Sequence, residues 1–231
     1  MKQVKLHPSG AQSWYRRTVT ASEHNFAFAS TLAVYVYRLE DFTMQALLTG
    51  HDRTITCIEW SPHSRNVLCT ASVDGTLVLW NTLTGERRIR RSLRGAREHG
   101  LKLDWHPHFP GRVGVGCSPS NTFNIWDFEL GAKESTDSGF LQVVECTDSI
   151  AAMQWNPQDR GMVVMGHALG TLTLITDAAA KTRKVVKVKS LVGGGSGASS
   201  KVEIADLRWD TLSSVYLLVA YKSGALFLWD R

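Results

Sequence analysis

A serine, a histidine and an aspartate stand close in the chain at Ser72, His51 and Asp74, the residue types of a nucleophile, its base and an orienting acid. Hydrolase chemistry would also need the serine on a sharp elbow between small residues, and no G-x-S-x-G segment is present. His106 and His108, with His99 nearby, are the next candidates, for a metal. No cysteine or carboxylate stands at ligand spacing to them, so they read as a surface turn, and neither a metal nor a cofactor is expected. The four cysteines, Cys57, Cys69, Cys117 and Cys146, are too widely spaced for a metal or redox pair and read as reduced thiols of the core.

The densest charge is a run of Arg87, Arg88, Arg90, Arg91, Arg94 and Arg97. Arg88, Arg90, Arg91 and Arg94 could together meet phosphate, as a nucleic-acid or phospholipid reader would, or an acidic peptide. The competing explanation is that charges on an exposed outer strand keep sheets from pairing edge to edge. Lys181, Arg183, Lys184, Lys187 and Lys189 repeat the pattern around Val185, Val186 and Val188, which favours edge protection. Few aromatic residues interleave with the arginines, so nucleic acid is not an expected partner. The net charge of +5, from 26 Lys plus Arg against 21 Asp plus Glu, permits acidic partners without requiring them.

These residues are positioned by a repeat. Trp60, Trp105, Trp155 and Trp209 each follow an alternating apolar run and lie 45, 50 and 54 residues apart (105 − 60, 155 − 105 and 209 − 155). A second column, Trp80, Trp126, Ile175 and Trp229, follows the first by 20, 21, 20 and 20 residues. A fixed separation inside the unit and a variable one between units mean constant strands and turns with variable outer loops. Pro62, Pro107 and Pro157 end the first strand, and Asp74-Gly75 is a hairpin turn. Gly193 to Ser200 is loop by composition and accounts for the longest spacing. No helical stripe of useful length is present, so the chain reads as an all-β array with a period near 45 residues.

Gly50-His51, Ala71-Ser-Val-Asp-Gly75 and Thr76-Leu-Val-Leu-Trp80-Asn81 resemble the WD-repeat (WD40) family. The resemblance implies a β-propeller of about five four-stranded blades, at roughly 11–49, 50–95, 96–142, 143–192 and 200–231. It also implies a buried hydrogen-bonded set of His51, Ser72, Asp74 and Trp80, a structural account of the serine-histidine-aspartate group. The later units carry other residues at the Ser and Asp positions and are expected to hold by packing. Trp60, Trp105, Trp126, Trp155, Trp209 and Trp229 are the expected repeat core.

The last unit stops after its third strand, so an open or incomplete ring is expected, one that needs a further chain or segment to complete it. The alternative is closure by Lys2 to Leu6 pairing onto the last blade, with Val4 against the strand ending at Trp229. The charged start of the chain shows no signal peptide, and its apolar runs are too short for a transmembrane helix. The expected function is a non-enzymatic, cytoplasmic scaffold that binds other proteins. WD-repeat members that join propellers to helical repeats serve coats and intraflagellar transport, which adds a transport subunit with ciliary association as an alternative.

Overall fold

The computed structural model describes residues 15, 17–93, 101–118, 120–129, 140–176, 178, 183–190, 202–213 and 215–230. Its described elements are strands, arranged as antiparallel sheets in chain order. The chain forms two compact units, residues 1–103 and 104–231.

In the first unit, β1 (Val19–Ala21), β2 (Asn25–Ser30), β3 (Ala33–Arg38) and β4 (Met44–Thr49) form one sheet. Another is made by β5 (Ile55–Trp60), β6 (Val67–Ser72), β7 (Thr76–Asn81) and β8 (Arg87–Ser92). The core between these two sheets joins Ala27, Ala29, Val34, Val36 and Leu48 to Ile55, Ile58, Trp60, Leu68, Val78 and Trp80.

The second unit begins inside β9 (Lys102–Trp105), which pairs in the order β12-β11-β10-β9 with β10 (Arg112–Cys117), β11 (Thr122–Asp127) and β12 (Phe140–Glu145). A further sheet comprises β13 (Ile150–Trp155), β14 (Val163–His167), β15 (Leu172–Thr176) and β16 (Lys184–Val188). The last has three strands among the described residues: β17 (Ile204–Trp209), β18 (Tyr216–Tyr221) and β19 (Leu226–Asp230). Successive sheets again share cores, one joining Phe123 and Ile125 to Met153, Trp155 and Ile175, the next joining Val164 and Leu174 to Leu207 and Trp209.

Both tryptophan columns act as register marks. Trp60, Trp105 and Trp155 close their strands, and the prolines stand two residues beyond, where a strand would lose a donor. Trp60, Trp80, Trp105, Trp126, Trp155 and Trp209 are buried, whereas Trp229 is partly buried. Beside Trp80 and Trp126 of the second column, and beside Tyr37 in the sheet β1–β4, the register to the outer strand shifts by a bulge. Ile175 is followed by no such shift. A bulge adds twist to an outer strand, and the smaller side chain leaves the ladder regular.

Val4 and Lys2 to Leu6 lie outside the described residues, as do Arg94, Arg97, His99, Lys181 and the Gly193 to Ser200 segment.

Candidate functional site

The sheet β5–β8 holds a line of hydrogen bonds that begins at an indole and ends at a carboxylate. Trp80 Nε1 donates to Thr70 Oγ1 at 2.9 Å, and Thr70 Oγ1 lies 2.6 Å from His51 Nε2. His51 Nδ1 lies 3.2 Å from Thr76 Oγ1, whose hydroxyl donates to Asp74 Oδ1 at 2.5 Å. Because Thr76 spends its proton on Asp74, His51 must donate through Nδ1 and accept at Nε2. Burial lowers the His51 pKa despite the opposing pull of Asp74, which suits this neutral tautomer. Burial raises the Asp74 carboxyl, but bonds from the Thr76 hydroxyl and N–H outweigh it and leave the pKa below its usual value.

Ser72 is not in this line. Its hydroxyl donates to the Arg53 carbonyl at 2.8 Å and accepts from the Asp74 N–H. Two threonines that the sequence reading passed over, Thr70 and Thr76, connect His51 to Trp80 and to Asp74. No nucleophile-to-base contact joins Ser72 to His51 here, and the geometry is that of a strut.

The second unit has polar pairs of its own, which corrects the expectation of packing alone. His167 stands at the Ser72 position, with Nε2 2.8 Å from Thr173 Oγ1 and Nδ1 3.1 Å from the Asp148 carbonyl. The carbonyl can only accept, so Nδ1 carries the proton, and burial again lowers the histidine pKa. In β11, Asn124 Nδ2 donates to Cys117 Sγ at 3.1 Å.

Neighbouring sheets are fastened by another recurring bond. The backbone N–H that ends a first strand donates to a side chain on the first strand of the preceding sheet: Trp60 to Thr20, Trp155 to Asp104 and Trp209 to Gln154, at 3.3, 2.6 and 2.9 Å. Asp104 and Gln154 directly precede first-column tryptophans, a column beside the one the sequence reading used. Glycines let the sheets approach: a Cβ on Gly166 would sit 2.6 Å from Ile204 Cγ2, and one on Gly114 2.9 Å from Trp155 Nε1.

The residue after each first-column tryptophan caps the following loop. Asn156 Oδ1 accepts from the N–H groups of Gln158 and Asp159, and Asp210 accepts from those of Leu212 and Ser213. His106 does the same with Nδ1, which accepts from His108 and Phe109. Its Nε2 therefore carries the proton and donates to the Arg160 carbonyl at 2.8 Å. Both ring nitrogens of His106 are thus engaged in holding the loop. Gln158 Nε2 in turn donates to the Leu212 carbonyl, so three successive loops are bonded into a rim. Leu212 is 86% exposed on it and Phe109 37%, with the Arg112 guanidinium 4.1 Å from the Phe109 ring centroid.

The arginine strand β8 is divided. Arg90 is 2.8 Å from Asp52 and 3.8 Å from Asp74, and Arg91 is buried. Arg87 and Arg88 are exposed, Arg88 as the extra residue of the outer-strand bulge.

Residues 42–81 match the family model described as WD domain, G-beta repeat. Over 146 residues the chain is 25% identical to protein transport protein SEC31 of Chaetomium globosum, covering 62% of this chain and 11% of the relative. It is 30% identical over 79 residues to the WD-40 repeat-containing protein MSI4 of Arabidopsis thaliana, covering 34% of this chain and 15% of the relative. The chain thus spans under a fifth of either relative. Among solved structures, a chain in the crystal structure of the mitotic checkpoint complex superposes with a TM-score of 0.73 at 14% identity, covering 96% of this chain and 62% of that one. The chain therefore carries a WD40-type match at residues 42–81, and it is all-β, its successive antiparallel sheets sharing their fold with that chain of the mitotic checkpoint complex.

Proposed function

We propose that the chain is a non-enzymatic scaffold that binds other proteins, and that the loop rim of its second unit is a docking edge. The observation that carries this is the bonding of successive loops, His106 to Arg160 and Gln158 to Leu212, which holds Phe109 and Leu212 outward on fixed backbone. Apolar side chains on preorganised loops bind without the entropic cost of ordering them. The polar set at His51 is consumed in holding together the sheet β5–β8, so it offers no relay for catalysis.

A narrower reading is a cytoplasmic subunit of a transport coat or of ciliary transport, and the likeness to protein transport protein SEC31 supports its transport part alone. The segments Ser30–Tyr37 and Leu212–Val219 also resemble the beginning of WD repeat-containing protein 17. Localisation of the tagged chain separates this reading from a general scaffold. A phosphate-reading role for Arg88, Arg90, Arg91 and Arg94 has less support, because Arg90 is already paired with Asp52 and Arg91 is buried.

The test is sedimentation of the chain from gently lysed cells, beside the Phe109→Asp/Leu212→Asp variant. The reading expects the parent in assemblies larger than its own 25.6 kDa and the variant shifted toward the free species. A parent that sediments alone contradicts it.

A further inference from the structure

At one end of the sheet β1–β4, the β1–β2 and β3–β4 loops bound a cleft of about 500 Å³ whose walls include Glu23, His24, Asn25, Arg38, Glu40 and Gln45. The Leu39 N–H donates to the His24 carbonyl at 2.8 Å, which ties the two loops backbone to backbone and leaves the cleft preformed. All of these residues belong to the first unit.

A chain of two amides runs through one wall, and its direction is fixed from both ends. Gln45 Nε2 donates to the Thr82 carbonyl at 3.0 Å, so Gln45 Oε1 is the atom that accepts from Asn25 Nδ2 at 2.9 Å. Asn25 Nδ2 gives its other proton to the Tyr37 carbonyl at 3.3 Å. Carbonyl oxygens only accept, so neither amide can turn over, and Asn25 Oδ1 is left as an acceptor. No donor meets it among the described residues, and it is not one of the polar atoms sealed from solvent. Asn25 is nonetheless only 8% exposed, so what reaches that oxygen comes through the cleft it lines.

The charges around the cleft favour a cation there. Glu40 is exposed and meets no cation among the described residues. Glu23 is met by Arg65 at 3.3 Å and by His24 at 3.5 Å, but all three side chains are more than half exposed, so these pairs are weak and exchangeable. Arg38 is committed elsewhere: Nη2 lies 2.8 Å from Asp41 Oδ2, and Nε and Nη2 both donate to Thr43 Oγ1. What stays open is one nearly buried amide oxygen in the company of two carboxylates.

We propose that this cleft binds a guanidinium group, carried by a peptide arginine or by a small guanidino compound, with Asn25 Oδ1 and Glu40 as acceptors and Glu23 exchanging Arg65 for the ligand. A guanidinium presents five donors in a rigid fork and is weakly hydrated, so it suits several acceptors fixed in one place better than an ammonium does. A bond from a charged donor to the Asn25 oxygen is stronger than one between neutral groups. Arg65 on Glu23 is the chain's own instance of the contact. The cleft and the loop rim of the second unit are separate, and the proposal stands whether or not the rim binds proteins.

The test titrates the full chain with Nα-acetyl-arginine amide and with Nα-acetyl-lysine amide, following the side-chain amide resonances of Asn25 and Gln45. The arginine probe is expected to shift both resonances saturably and to bind about tenfold more tightly than the lysine probe. Glu40→Gln should weaken that binding several-fold, and Arg65→Ala should strengthen it by freeing Glu23. Both positions are exposed, so neither substitution puts folding at stake. Gly-Gly-Arg-Gly-Gly separates the two sources: tighter binding than the amide marks a peptide arginine, weaker binding a free guanidino compound. No saturable shift at Asn25, equal affinity for the lysine probe, or an affinity that Glu40→Gln leaves unchanged overturns the proposal.

Discussion

The Thr70 hydroxyl oxygen lies 2.9 Å from the Trp80 indole nitrogen and 2.6 Å from His51 Nε2, all within the buried interior of one sheet. One hydroxyl thus satisfies two large rings. Removing it in Thr70→Val leaves an indole donor and an imidazole acceptor buried without partners, at about 1–3 kcal/mol each. Ser72→Ala, which frees only the Arg53 carbonyl and a turn N–H, should cost about 1 kcal/mol. Urea unfolding of both variants gives the order, and an equal or reversed order refutes the assignment of Thr70.

His51 and His167 both have pKa values lowered in the fold, first by burial. The unfolded chain therefore takes up more protons once the pH drops below about 6.5, the ordinary histidine value. Stability should be flat between about pH 7 and 8 and fall as the pH passes down through 6.5 toward the folded values. Denaturant midpoints at pH 7.5, 6.5 and 5.5 check this, and His167→Gln should reduce the slope.

Gly166 has room for hydrogen alone, since an added Cβ would meet Ile204 Cγ2 at 2.6 Å. Gly166→Ala should destabilise by about 1–3 kcal/mol through overpacking. The double variant with Ile204→Val should recover part of that loss, because Val removes bulk at the same contact. A fully additive double-mutant cycle would place the strain elsewhere.

Cys57 is wholly buried, and its thiol is pushed up to about 12 by that burial, while burial also lifts Cys146 to about 11. Since only the thiolate reacts, iodoacetamide at pH 8 should modify the folded chain slowly, with the less buried Cys146 ahead of Cys57 and Cys69. Peptide mass mapping over time reads the order.

The sheets were legible because both tryptophan columns answer one demand repeated along the chain: a large ring must be buried where two sheets meet. The hydrogen-bonded line was legible at its ends, Trp80 and Asp74, and at its midpoint, His51, but not at the linking hydroxyls of Thr70 and Thr76. Leu68, Thr70 and Ser72 share one face of β6, and residue types alone cannot choose between two small hydroxyl residues there. Register decides, because Trp80 opposes Leu68 and Thr70 is the next residue on that face. Ser72 is a further two residues away, about 7 Å along the strand and beyond the indole's reach. The fastening residues Asp104 and Gln154 and the loop caps His106, Asn156 and Asp210 vary in type because any acceptor serves. Their signal lies in being next to a tryptophan, not in their identity.

That fixed loops of the second unit dock other proteins is tested most directly by placing a photocrosslinking side chain at position 212 or at position 185 of the full chain in cells. Leu212 stands on the loop rim and Val185 on the outer strand β16, and both are exposed. The account predicts discrete crosslinked partners from position 212, lost when Phe109→Asp is added, and only background from position 185. Equal yields from the two positions, or partners captured from 185 alone, would contradict it.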